Sequence, residues 1–435
     1  MKNLQRVGGW ILVLGMASFA HAQETLTLEQ ALQRAKNSNG DIQAAFLNYE
    51  AARQNEVSAF SSYLPSATLG FSRSVGQSEV FNGPGQGFAR SWSTDLSLQT
   101  NWLLWDDGTR AENLQRARLG SVAQSQSALQ VLRNTLFSVH ERYLESLRSQ
   151  LLLGVQEKNV ERAKELLDST LFRIQVEDLP AKDKYQAQAD YQNALVNKLT
   201  AQNRVSTSGA NLKAVLAWNE ALPQLVQPEM MEGQFADMSL EDLKGQGLSN
   251  RPELISQRKQ IESQRINVSL AKKQNRLKYA LNGSMTNGFL EQNSLSLGLT
   301  LSAQLPVYSG KANESAIRVA ELGLEAQLAQ LDQSEQNVEA EIEAAYWNVT
   351  QNRERVEAAK LALKAAQENY NAVEEAFRLR AATVIERLTA QVTLVTAESN
   401  MIESTYDSLI SEVRLQLAIG MPMPGEINTE TGAGE

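Results

Sequence analysis

The chain has 435 residues, is 42% hydrophobic and carries a formal net charge of −9, with no cysteine and two histidines. An acidic balance with no basic patch excludes nucleic acid as a partner. The missing cysteines exclude a disulfide scaffold and a lipid-modified N-terminal cysteine, and two histidines supply too few ligands for a metal site, so no cofactor is expected.

At the N-terminus Lys2 and Arg6 precede an apolar run from Val7 to Phe19 and then Ala20-His21-Ala22. That pattern predicts a secretory signal peptide over residues 1–22, since the run is shorter than the roughly 20 apolar residues of a spanning helix. Cleavage removes two positive charges and no acid, so −9 becomes −11, and His140 is left as the only histidine. No later segment reads as a transmembrane helix, so any membrane crossing falls to strands.

The rest of the chain reads as two copies of one unit, residues 23–222 and 239–421, joined by a linker over 223–238. Thr27-Leu-Glu-Gln-Ala answers Ser239-Leu-Glu-Asp-Leu, Trp105-Asp-Asp-Gly answers Val307-Tyr-Ser-Gly, and Tyr143 answers Tyr346. Prolines fall between the expected helical runs rather than inside most of them. Residues 422–435, with Pro422 and Pro424 at their start, read as a disordered tail.

Each copy is expected to hold one β-hairpin, over 66–104 and 278–305. In the first, Ala67, Leu69, Phe71 and Val75 alternate with small polar residues, and Trp92, Leu96, Leu98 and Trp102 do the same, with a long Gly-rich loop from Gly76 to Arg90 between them. In the second, the alternation at Tyr279, Leu281 and Met285 is weaker, whereas Leu295, Leu297, Leu299 and Leu301 alternate strictly with Ser296, Gly298 and Thr300. A strand of this length spans a bilayer when tilted in a barrel wall. Trp92, Trp102, Trp105, Tyr279 and Tyr308 lie near strand ends, where interfacial aromatics sit. The same alternation would suit a one-sided sheet on a soluble core. Four strands leave two raw edges that hydrocarbon does not tolerate, so a lipid-facing wall must be shared among chains.

Helical runs near 109–173 and 311–378 would each be about 100 Å long. Shorter runs near 28–64, 184–217, 240–276 (broken early by Pro252) and 384–419 could stack in pairs to that length. Their heptad-like apolar ladders, such as Leu129, Leu132, Leu136, Val139 and Tyr143, would also suit a solid coiled-coil stalk or adhesin that is secreted as a trimer and does not conduct.

The leader, the Leu-x-x-Ala-Leu-like opening, the strand entry Tyr63-Leu-Pro-Ser-Ala-Thr-Leu-Gly-Phe and the paired turns Trp105-Asp-Asp-Gly and Pro306-Val-Tyr-Ser-Gly resemble the TolC-type outer-membrane efflux proteins over nearly all of the chain. The resemblance implies a mainly α protein with transmembrane β: an internally duplicated protomer of a trimeric outer-membrane β-barrel, four strands per chain, continued by a periplasmic α-helical barrel. It further implies the exit duct of a tripartite efflux pump or type I secretion system, partnered by outer-membrane lipid, a periplasmic adaptor and an inner-membrane transporter, with no enzymatic step.

By the same resemblance, a gate lies at the helix tips farthest from the barrel. The tips read Val176-Glu-Asp-Leu-Pro-Ala-Lys-Asp183 and Leu379-Arg-Ala-Ala-Thr-Val-Ile-Glu386, and both lack the glycine that relatives carry there. Asp183 and Glu386 are the gate candidates, because carboxylates gathered around an axis would repel one another and favour cations. Each is equally an ordinary helix N-terminal acid. Arg378, Arg380 and Arg387 could neutralise such a ring or dock an adaptor.

Overall fold

The computed structural model describes residues 25–80, 87–228, 238–288 and 294–426. The leader expected over 1–22 lies outside them.

The duplication is visible in element lengths. The first copy holds α1 (Leu28–Ser38), α2 (Gly40–Ser61), a β2–β3 hairpin (Ser66–Val80 and Gly87–Trp105), α3 (Thr109–Gln175) and α4 (Lys182–Leu216). The second holds α5 (Leu240–Asn250), α6 (Pro252–Lys272), β5 (Lys278–Gly288) and β6 (Ser294–Gln304), then α7 (Ala312–Arg378) and α8 (Val384–Ala418). Helices α3 and α7 have 67 residues each, roughly 100 Å, and α4 and α8 have 35 each. Two short strands, β1 (Thr25–Leu26) and β4 (Gln224–Leu225), pair in parallel across the first copy. The hydroxyl of Tyr143 holds that pair in place, meeting the Leu26 and Val226 carbonyls at 2.7 and 2.6 Å.

Caps explain where the helices start. Thr27 and Gln30 form a capping box on α1, Ser239 caps α5, and Pro252 opens α6 at a position where its missing N–H costs nothing. The single run expected over 28–64 is in fact two helices. Asn39 ends α1 in an extended conformation, and its side chain accepts from the Asp41 and Ile42 N–H groups to begin α2.

Four strands form one antiparallel sheet in the order β2-β3-β5-β6. Its first hairpin is longer than expected: β2 and β3 stay in register to Val80 opposite Gly87, so most of the segment from Gly76 to Arg90 is strand rather than loop. The register places Leu69, Leu98, Met285 and Leu297 side by side, and likewise Phe71, Leu96, Asn287 and Leu295. One face is therefore largely apolar and the other carries serine, threonine, asparagine and glycine. Among the described residues no helix is long and apolar enough to cross a membrane.

The sheet leads into helices arranged four abreast. Beneath it α2, α3, α6 and α7 pack in that order, and lower down α4, α3, α8 and α7. The main core lies between them at mid-length, where α1 and the short strand pair cover Leu136, Val139, Tyr143 and Leu212. Residues 422–426, expected to begin a loose tail, pack onto this core. Met423 is buried, and Glu426 accepts two hydrogen bonds from Arg133, at 3.0 Å each. The remainder of that tail lies outside the described residues.

Candidate functional site

The candidate site has two regions, the sheet and the helix tips. On the sheet's apolar face Leu295, Leu297, Leu299 and Leu301 are all more than 60% exposed, which water would penalise and lipid would not. Trp92 and Trp102 stand ten residues apart on β3. That is roughly 34 Å of strand, or about 26 Å of height at a tilt near 40°, close to the ~25 Å apolar band of outer-membrane barrels. Trp92 lies toward the hairpin end, with Arg73 stacked 5.2 Å from its ring. Trp102, Trp105 and Tyr279 lie toward the helices, with the last two rings 5.9 Å apart and Trp102 donating to the Tyr63 carbonyl at 3.1 Å. Tyr308 follows β6 and is 87% exposed. The opposite face is knit by polar bonds, from Asn101 to Asn282 at 2.5 Å and from Asn282 to Ser302 at 3.2 Å.

At the far end both long helices finish in the same way. The N–H of Asp178 bonds back to the Arg173 carbonyl at 2.8 Å, and that of Ala381 to the Ala376 carbonyl at 2.7 Å. This termination needs a left-handed residue, and Glu177 (φ 58°) and Arg380 (φ 64°) fill the place where glycine is favoured. Both copies thus make this turn without glycine.

The tips of one chain are bound to each other. Asp178 accepts from Arg173 of its own hairpin at 2.7 Å and pairs with Arg380 of the other at 3.4 Å. Arg173 also donates to the Phe377 carbonyl at 3.4 Å and lies 4.9 Å from the Phe377 ring. Beneath this, Leu166, Ala187, Phe377, Val384 and Leu388 from all four helices form a small core. Farther from the tip, Gln391 donates to Asn159 at 2.9 Å and to Asp190 at 3.4 Å. Burial raises the Asp190 carboxyl above its ordinary value, against the opposing pull of Gln391 and Arg387. Sequence reasoning missed Arg173, Asp178 and Asp190, because their partners in the other hairpin, Phe377, Arg380 and Gln391, are brought near only by the fold.

The expected site residues divide. Glu386 accepts from the Thr383 backbone N–H at 2.7 Å and hydroxyl at 2.9 Å, completing a capping box on α8. Those bonds lower its pKa below the ordinary value. Asp183 lies in the first turn of α4, its N–H bonded to the Pro180 carbonyl. Arg378 is exposed and pairs with Glu374 at 3.4 Å. Arg387 is 3% exposed and bound to Glu374 at 2.5 Å, so it cannot dock a partner at the surface. Among the described residues no acidic or histidine cluster could hold a metal ion.

A lipid-facing sheet that runs straight into hundred-ångström helices defines a protomer of an outer-membrane channel with a large periplasmic part. The family model described as "Outer membrane efflux protein" matches residues 31–217 and 243–421, and the chain belongs to that family. Similar relatives include the outer membrane protein TolC of Escherichia coli, 23% identical over 97% of this chain and 87% of the relative. The outer membrane efflux protein BepC of Brucella suis is 22% identical over 95% and 90%. Among solved structures, the Campylobacter jejuni CmeC outer membrane channel superposes with a TM-score of 0.80 at 16% identity, covering 92% of this chain and 86% of that one. A secreted stalk would have no use for the lipid-facing sheet, and family membership decides for the channel.

Proposed function

We infer that three copies of this chain close one duct, which an inner-membrane transporter and a periplasmic adaptor use as the exit of a tripartite efflux pump or type I secretion system. The observation that carries the reading is the pair of open edges. Among the described residues β2 and β6 each have one strand neighbour, and the helices below end on the same two sides, with α2 or α4 at one margin and α7 at the other. Lipid does not tolerate a raw strand edge, so β2 of one copy pairs with β6 of the next and three copies make a twelve-stranded wall. Four strands alone fall below the roughly eight that close a barrel.

The tips are the gate of this duct. Asp178, held by Arg173 and bridged to Arg380, keeps the two hairpins of a chain together, and opening requires that they part. Asp183 and Glu386 support the tip as helix-start acids, with Glu386 committed to its cap. Arg378 and Arg380, though paired within the chain, stay largely exposed and are the tip arginines that an adaptor can meet. The test is ion conductance of the purified full-length chain in a planar bilayer. Discrete channel steps are expected, and a detergent-extracted protein that inserts without conducting would contradict the reading.

A further inference from the structure

The geometry points to an anion-binding belt in the helical part of the duct, just below mid-length, that attracts hydrophilic cargo bearing carboxylate, phosphate or sulfonate groups. This rests on the reading of the chain as a duct. A concavity of about 830 Å³ is lined at once by α3, α4, α7 and α8. A hollow shared by every helix of a four-wide layer is the layer's concave side, which becomes the interior when the wall closes. The helix faces agree. On α3 the lining residues Glu141, Arg142, Glu145 and Arg148 lie opposite Leu136, Val139, Tyr143 and Leu147, which are buried in the core that includes α1 and the short strand pair.

The lining holds five arginines, three carboxylates and no lysine. Three arginines are engaged: Arg148 with Asp407 at 2.8 Å and with Glu145, Arg355 with Asp407 at 3.7 Å, and Arg414 with Glu141 at 2.9 Å. These pairs tie neighbouring helices together and neutralise all three acids. Arg142 and Arg204 have no acidic partner among the described residues, and both are exposed. The formal balance is therefore +5 − 3 = +2 per chain, or +6 around a threefold duct. The pore-side residues above the belt on α3, such as Gln124, Ser127, Asn134 and Ser138, are uncharged. An anion coming along the duct thus meets unpaired guanidinium groups, which bind carboxylate and phosphate in forked pairs, with Asp41 the one charged residue lining the hollow above them. Ala345 and Ile410 are the only apolar residues in the lining, so the hollow offers a hydrophobic ligand few side chains to pack against. This local charge is opposite in sign to the −9 of the whole chain, so bulk charge is a poor guide to what the duct admits.

The test uses inorganic tripolyphosphate as probe, titrated calorimetrically into the full-length protein in detergent and added to the helix side of the channel in a planar bilayer. Saturable binding and block of the current are expected, both weakened by about tenfold or more in Arg142→Gln/Arg204→Gln, while spermidine at equal concentration neither binds nor blocks. An unchanged melting temperature shows that the double variant is folded, and Arg142→Lys/Arg204→Lys is expected to retain most of the binding. No binding, or binding that is the same in the double variant, would overturn the belt. Tripolyphosphate binding that depends on these arginines in a protein that never conducts would uphold the belt and overturn the duct.

Discussion

Glu177 and Arg380 adopt a backbone that residues with a Cβ rarely accept, at matching places in the two copies. Glycine there would relieve strain worth about 1 kcal/mol. Glu177, which makes no ion pair among the described residues, is the cleaner site. Glu177→Gly is expected to raise stability by roughly 0.5–1 kcal/mol, less the entropy that glycine adds to the unfolded chain, as read from the urea midpoint of the detergent-solubilised protein. A second residue-scale effect sits at mid-length. His140 is buried and is lowered by desolvation from 6.5 to about 4, with the Pro424 backbone and the Glu29 carboxylate opposing the shift. The unfolded chain therefore binds the proton more readily. The contribution is complete above about pH 6.5 and is lost as pH falls toward 4, by up to roughly 3 kcal/mol. Melting temperature followed from pH 7 to pH 4 should drop less in His140→Asn than in the unsubstituted protein. Neither effect was legible in the sequence: a left-handed glutamate has no compositional mark, and a lone histidine in a heptad ladder does not announce its burial under residues 422–426.

At the scale of elements, periodicity located the sheet strands and the long helices because their faces are determined by local alternation or heptads, as in Leu295 to Leu301. It failed where a single side chain or a distant partner decides. Asn39 breaks the first helical run by capping it, a role the surrounding polar sequence does not distinguish from an ordinary surface position. The strands beyond Gly76 are held by cross-strand pairing rather than by alternating hydrophobicity, so they read as loop. The tip contacts are longer-range still, since Asp178 and Arg380 lie about two hundred residues apart. If this bridge restrains the hairpins, Asp178→Asn should raise single-channel conductance at least several-fold. Arg380→Gln should do the same by removing the cross-hairpin partner alone. Bilayer recordings that show no change for either variant would remove Asp178 from the gate.

For the molecule as a whole, the sequence gives the address, the duplication and the shortage of strands, and family membership makes it an outer-membrane efflux protein. What it could not give is the distribution of charge, because only the helix packing decides which arginines face the hollow. The central claim is that this wall is completed by identical neighbours on both margins, and the mass of the detergent-extracted assembly measured by native mass spectrometry tests it most directly. Three copies of the chain, dissociating only when the membrane sheet is denatured, is the predicted result. A stable single chain that stays in solution without detergent would contradict it.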